Sequence, residues 1–227
     1  AELNRQLSSH GLMFGPDPSS GDMCKLGGMI ANNSSGPHTL RYGSVKDNIL
    51  RLRVCLTSSS WVDAQSYALT DPSLERLLTM VPALREILIL VQAHADLIAE
   101  KQPTVSKNSC GYNLFGIADG LARGMFDIPK LFVGSEGTLG VVSEARLTLV
   151  KKPSATLTAL IHFTHLEEVG DAVPQLLTLR PSALEVMDAN TLNLIGRAAH
   201  GIPEDAAATL LLELDADSIE VDLHEQA

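Results

Sequence analysis

The chain has 227 residues, with 17 Lys and Arg against 27 Asp and Glu, a formal charge of −10, 45% hydrophobic residues and 19% charged ones. A chain of that length buries roughly 70% of its unfolded surface, enough for one large domain or for one domain and part of a second, so size permits an enzyme. The acidic balance, without any block of Lys and Arg, argues against the electrostatic footprint of a nucleic-acid binder. Apolar runs such as Ile87 to Val91 and Ala206 to Leu212 fall far short of the roughly 20 residues a membrane-spanning helix needs.

In chain order, Ala1-Glu2-Leu3-Asn4-Arg5 lacks the apolar core of a signal peptide; either an initiator Met has been removed or the chain starts inside a longer protein. Cys24, Cys55 and Cys110 are odd in number and far apart, which supports neither a disulfide framework nor a CxxC metal knuckle and suits a reducing compartment. The expected location is cytoplasmic, or peripheral to a membrane for a longer parent protein. Residues 1–60 hold seven glycines, at 11, 15, 21, 27, 28, 36 and 43, together with Pro16, Pro18, Pro37 and many Ser and Asn. That composition predicts short strands and loops whose backbone approaches something closely. Asn48 to Leu56 alternates with period 2, and Trp61 to Ala64 supplies a return strand across residues 57–60.

Asp71 followed by Pro72 reads as a helix start, and Pro82 opens a second helix in which Leu84, Ile87, Leu88, Val91, Ala95 and Ile98 recur at three- and four-residue spacing. The two make a helical insertion over about 71–105. Lys130 to Val133 and Gly140 to Val150 return to strand character, and Pro153 marks a boundary between domains at 1–152 and 153–227. Beyond it the pattern predicts a strand over 156–163, a helix over 166–179, a short apolar piece over 183–187, a helix over 190–199 and a strand over 208–214, the order of an α+β half-domain.

Chemistry points to two glycine-rich loops, Gly15 to Gly43 and Gly134 to Gly140. Small residues expose backbone N–H groups, which satisfy phosphate oxygens without cations; tight turns in a β-rich domain are the plainer reading. No GxxxxGK[ST] occurs, and Gly134-x-x-Gly137-x-x-Gly140 is not GxGxxG, which argues against a P-loop and a Rossmann turn. His162 and His165 form an HxxH pair, but strand alternation splits such a pair across two faces, and no metal site is expected. His38 stands out because it lies inside the glycine-rich loop. Cys110 reads as a buried thiol or as a neighbour of the cofactor. Glu185 and Asp188 read equally as residues near a cofactor in a complete enzyme or as a strand end with a helix cap, and Arg41 as an anion-steering or a surface arginine.

Five segments in order carry a resemblance: Phe14-Gly15-Pro16-Asp17-Pro18-Ser19-Ser20; Leu26-Gly27-Gly28-Met29-Ile30-Ala31-Asn32-Asn33-Ser34-Ser35-Gly36; Arg41-Tyr42-Gly43; Lys107-Asn108-x-x-Gly111-Tyr112-Asn113-Leu114; and Val133-Gly134-Ser135-Glu136-Gly137-Thr138-Leu139-Gly140. They resemble the FAD-binding domain of the FAD-linked oxidases, the vanillyl-alcohol-oxidase type, in the branch of D-lactate, glycolate and D-2-hydroxyglutarate dehydrogenases. Pro181 to Asp188 is similar to the early part of that family's substrate domain. The resemblance implies an α+β fold: the second subdomain of an FAD-binding domain, a mixed or antiparallel sheet with flanking helices, followed by the start of a ferredoxin-like substrate domain. It implies FAD as cofactor, a small 2-hydroxy acid as substrate, hydride transfer to flavin, and an electron acceptor of unspecified identity.

By the same resemblance, Pro16, Asp17, Pro18 and Ser19 line the flavin and its diphosphate. Gly27, Gly28, Asn33, Ser34, Ser35 and Gly36 wrap the cofactor, and Tyr42 and Gly43 come directly after them. Glu136, Gly137 and Thr138, with Gly140, Val141 and Val142, close on the ribose and adenine, and Asn108, Gly111 and Tyr112 lie on the loop before that strand. Lys25 stands where the family often has Thr. The family's first pyrophosphate loop and its late His-rich motif are not among these residues, so the chain resembles a central fragment of a longer enzyme; a catalytically silent FAD-binding module is the alternative.

Overall fold

The structure is a computed structural model that describes residues 1–216 apart from Ser106 and Cys110, so the Cys110 expectation and the chain after residue 216 lie outside the described residues. Helix α1 (Glu2–Ser8) and strand β1 (Leu12–Met13) come first, then α2 (Leu26–Ala31), α3 (Thr39–Tyr42) and a 3-10 turn at Val45–Asp47. Next are β2 (Ile49–Cys55), β3 (Trp61–Ala68), α4 (Pro72–Met80), α5 (Pro82–Ala93), α6 (Ala95–Glu100) and α7 (Leu114–Ala122). Then come β4 (Met125–Asp127), α8 (Pro129–Phe132), β5 (Val141–Leu147) and β6 (Val150–Lys151). The chain continues through β7 (Ala155–Phe163), α9 (Glu167–Leu177), β8 (Ala183–Asp188), α10 (Ala189–Ile195) and β9 (Ala208–Ala216).

Close contacts gather these elements into two compact units. The first comprises Ala1, Ser20–Ser35 and Gly43–Leu149; the second comprises Glu2–Ser19, Gly36–Tyr42 and the chain from Val150 onward.

The first unit is built on an antiparallel sheet in the order β4-β3-β2-β5, in which β5 is an edge strand. Period-2 alternation decides its two faces. Leu52 and Val54 of β2, with Val62 and Ala64 of β3, are fully buried. Arg51 and Arg53 alternate with them on the open face, where Arg51 pairs with Asp63, Arg53 pairs with Glu144, and the Arg53 guanidinium lies 4.9 Å from the Trp61 ring centroid. Leu74, Leu77, Leu84, Val91, Ile117, Phe126 and Phe132 complete the buried side. Asp71 caps α4 as its sequence predicts, its carboxylate accepting from the Ser73 amide.

Several expectations are corrected. The N-terminal segment, read as strands and loops, carries α1 and α2. The helix expected to run from Pro82 through Ile98 breaks at His94, which terminates α5 before α6 begins. Lys130 to Val133, read as a strand, lies mostly in the short helix α8: Pro129 occupies its first turn with φ preset for a helix, and Leu131 and Phe132 turn into the core. Helix α7 is not anticipated by the sequence pattern, which Gly116 and Gly120 interrupt.

In the second unit, β1 pairs with β6. The sheet order β7-β9-β8 places the last strand in the middle, antiparallel to both neighbours. Strands β7 and β8 are therefore parallel, joined through α9, with β9 inserted between them: a split β-α-β arrangement. Val169, Ala208 and Leu210 pack with Ile161, Phe163, Val173, Leu176 and Leu184 under α9, and Leu192, Ile202 and Ala206 pack with Met187 beside α10.

Candidate functional site

In the first unit the sequence motifs converge on α2. Gly27 and Gly28 are not loop residues, as their glycine-rich context suggests; they form the first turn of this helix, and the space where side chains would stand is open at both. The last carbonyls of a helix have no partner within it. Here Ile30 O accepts from the Gly134 amide at 2.9 Å and Ala31 O from the Glu136 amide at 3.0 Å, so the loop at 134–140 is hung on the end of α2 from a distant part of the sequence.

Gly134, Glu136 and Gly137 hold φ of +85°, +52° and +78°, left-handed values natural to glycine. The Thr138 hydroxyl donates to Ser135 O at 2.5 Å, and the Tyr112 hydroxyl sits 2.8 Å from the same Thr138 oxygen. Gly140 leads into β5 where a Cβ would meet Cys55 O at 2.6 Å. Val141, first residue of that edge strand, is 71% exposed, and Val142 is half-buried.

Asn33 is buried with φ +48°, and its Oδ1 accepts from the Lys46 amide at 2.8 Å. Lys46 Nζ donates in turn to Asn108 O at 2.8 Å, which ties the 107–113 loop to the Asn33–Ser35 stretch. Ser34 O accepts from the Val45 amide at 3.1 Å, and Gly43, at φ +73°, packs on Asp47. Asn113 caps α7 by accepting from the Gly116 amide at 3.1 Å. Three motifs distant in sequence thus share one hydrogen-bonded frame. Gly27, Gly28, Gly111 and Gly137 present backbone to empty space.

In the second unit, Pro16 is mostly shielded from solvent, Asp17 and Pro18 are no more than half-exposed and Ser19 is exposed. Asn4 fixes the approach to this segment by bonding both the amide and the carbonyl of Phe14, at 2.7 and 3.0 Å. Gly36 lies against it so tightly that a Cβ would stand 2.0 Å from Asp17 O, and a Cβ on Gly15 would stand 2.6 Å from that of Tyr42.

The Asp17 carboxylate faces His38, whose Nδ1 lies 2.5 Å from Oδ2 and whose amide donates to Oδ1 at 3.3 Å. His38 Nε2 lies 2.7 Å from Glu213 Oε2 of β9. Two residues along β9, Asp215 accepts from the Tyr42 hydroxyl at 2.5 Å, and its carbonyl accepts from Arg41 at 3.3 Å. Burial lowers the His38 pKa, but hydrogen bonds and charge from Asp17 and Glu213 outweigh it, and the net shift is upward from 6.5. Sequence reasoning does not single out Glu213 and Asp215. Their signal is a pair of acids at i and i+2 within the otherwise apolar run Thr209 to Ala216.

The remaining candidates fall elsewhere. His162 lies on β7 with Nδ1 2.9 Å from the Thr209 hydroxyl, His165 lies just past the end of that strand, and no metal-competent group of His, Cys, Asp and Glu occurs among the described residues. Asp188 caps α10 through the Thr191 amide, and Glu185 is exposed on β8. No helix among the described residues is long and apolar enough to cross a membrane.

Family models match twice. Residues 1–65 match an FAD binding domain and residues 152–227 match the C-terminal domain of FAD linked oxidases, which together indicate FAD as the cofactor. The glycolate oxidase subunit GlcD of Escherichia coli (strain K12) is 30% identical over 230 residues, covering 98% of this chain and 34% of that protein. The mitochondrial D-lactate dehydrogenase [cytochrome] 1 of Saccharomyces cerevisiae is 32% identical over 86% of this chain and 24% of its own length. A D-2-hydroxyglutarate dehydrogenase of Pantoea ananatis is 29% identical over 85% and 19%. The chain thus spans about a fifth to a third of these relatives. A solved alkyldihydroxyacetonephosphate synthase superposes with TM-score 0.61 over 99% of this chain and 34% of its own, at 18% identity, which speaks for the fold. With an α+β architecture and both family domains in order along it, the chain belongs to the FAD-linked oxidases.

Proposed function

We propose that this chain forms part of an FAD-dependent oxidoreductase that oxidises a D-2-hydroxy acid such as D-lactate, glycolate or D-2-hydroxyglutarate. The observation that carries the reading is the frame in which the end of α2 is capped by the Gly134 and Glu136 amides while Gly27, Gly28, Gly111 and Gly137 leave backbone open to an approaching group. The names of the relatives supply the substrate class.

A chain of net charge −10 has few cations for a diphosphate, so backbone N–H groups are the natural donors. Gly27, Gly28 and Ser35 serve this role in the first unit, with Ser34, whose amide is taken by Met29 O, contributing its hydroxyl; Asn33 holds the turn before Ser34 in its left-handed conformation and Gly43 turns the chain after the motif. Glu136, Gly137 and Thr138 receive the ribose, and Gly140 with Val141 and Val142 at the start of β5, whose outer edge is unpaired among the described residues, offers main-chain groups to a flat purine. Pro16, Pro18 and Ser19 meet the cofactor in the second unit, with Asp17, Gly36 and Tyr42 shaping the backbone around them. When bound, FAD supplies the redox chemistry as acceptor of the hydride from the substrate α-carbon.

Incubation of the purified chain with FAD, then absorbance and thermal unfolding, tests binding; anaerobic addition of each of the three acids tests reduction. Flavin absorbance with bleaching by at least one acid is expected. Binding without bleaching leaves the silent module, and no bound flavin overturns the reading.

A further inference from the structure

His38 stands between carboxylates from two separate stretches of chain: Asp17 of the Pro16–Ser19 segment at 2.5 Å from Nδ1, and Glu213 of β9 at 2.7 Å from Nε2. A neutral imidazole offers one N–H and one lone pair, so between two carboxylates it would face one of them lone pair to lone pair. Only the imidazolium donates to both. The neighbouring groups are engaged in the same seam: Thr158 of β7 reaches Glu213 at 3.3 Å, and Thr156 of β7 reaches Asp215 at 2.7 Å. From the short helix just after His38, the Tyr42 hydroxyl and the Arg41 guanidinium reach Asp215.

We propose that His38 is a positioning residue whose imidazolium pins the Pro16–Ser19 segment to β9, docking that segment while the ring is protonated and releasing it as the pH rises and the ring loses its proton. The Asp17 carboxylate then serves the clamp rather than a ligand. Gly36, pressed on the Asp17 carbonyl, brings the two stretches close enough for the ring to bridge them. Its consequence for FAD rests on the function proposed above; the docking itself does not.

Heteronuclear NMR on the whole chain tests this directly. The expected result is a His38 ring carrying protons on both nitrogens at about pH 6, with a midpoint above that of a free histidine. The amide signals of Gly15, Asp17 and Ser19 should move with that same midpoint, and exchange of the His38 amide, corrected for its intrinsic rate, should speed about tenfold above it. Glu213→Gln removes one charge while keeping a similar shape, and should lower the midpoint and the pH of release together. His38→Gln should remove the pH dependence. A neutral ring at about pH 6, segment signals indifferent to the ring, or an unmoved midpoint in Glu213→Gln would each overturn the proposal. If His38→Gln does not fold, the wild-type and Glu213→Gln titrations decide alone. pH-linked release in a chain that binds no FAD upholds the clamp and defeats the cofactor reading; FAD binding with a pH-indifferent segment does the reverse.

Discussion

Two glycines in the motifs do opposite work. At Gly36 a methyl group would stand 2.0 Å from a backbone carbonyl, and backbone cannot swing aside as a side-chain tip can. Gly36→Ala is therefore expected to destabilise the chain by about 2 kcal/mol or more, read as a lowered urea midpoint. Gly28 is helical with open space beside it. Gly28→Ala should leave the ligand-free chain unchanged or more stable by about 0.5 kcal/mol, because alanine suits a helix better. If that opening receives cofactor, the same variant weakens FAD binding, and the split between stability and affinity measures the role. The sign for His38 comes from its raised pKa: its stabilisation is fully present below about 6.5 and is lost as the pH rises through the raised value, so the wild-type melting temperature should fall over that range relative to His38→Gln. The Pro16–Ser19 segment is visible in the sequence as a motif; the His38–Glu213 pairing is not, because Glu213 lies 175 residues away and only the fold brings it near.

At the scale of elements, a side chain that closes its own hydrogen bond gives a local signal, read at Asp71 and missed at Asn113. Asp71 and Pro72 announce α4, and the Ser73 side chain and amide hold the Asp71 pKa down. A depressed carboxylate stabilises above its unfolded value and loses that contribution as the pH falls through the folded one; Asp71→Ala should thus be less stable than wild type near neutral pH and converge with it as the pH falls, measured by circular dichroism. Asn113 does the same work for α7 without titrating, and Asn113→Ala is expected to cost about 1 kcal/mol at all pH values. Local signals failed where burial decides. Lys130 to Val133 has the apolar look of a strand, but Pro129 sets the first helical turn and the core takes Leu131 and Phe132. The Gly27-Gly28 pair reads as loop on propensity alone, yet the next two residues and a distant loop make it helical: Met29 and Ile30 are buried, and the loop at 134–140 caps the carbonyls.

At the scale of the molecule, the chain order and the compact units do not coincide. Composition places a boundary near Pro153, whereas residues 2–19 and 36–42 belong by contact with the described residues from Val150 onward. A linear reading sees order along the chain; it does not see that β1 returns to pair with β6 or that α3 lies beside β8. Residues 150–227 produced alone should therefore melt at a lower temperature than the same residues in the whole chain, because Glu213 and Asp215 lose His38 and Tyr42 and β6 loses its partner. In the whole chain, Leu210→Ala beneath α9 should cost about 3 kcal/mol by chemical denaturation, the usual toll of a leucine-sized void.

The open edge of β5 has a second side to it. An unpaired strand edge is a template for any extended peptide, including another copy of the same chain, and edge-to-edge pairing is how sheets begin to aggregate. The sequence guards this edge with Glu144 and Arg146 at alternate positions and with a break in the β2–β5 register at Arg53 and Val54. These charges and this irregularity act as gatekeepers, and replacing Glu144 and Arg146 by valine is expected to turn a clear solution of the chain turbid on standing.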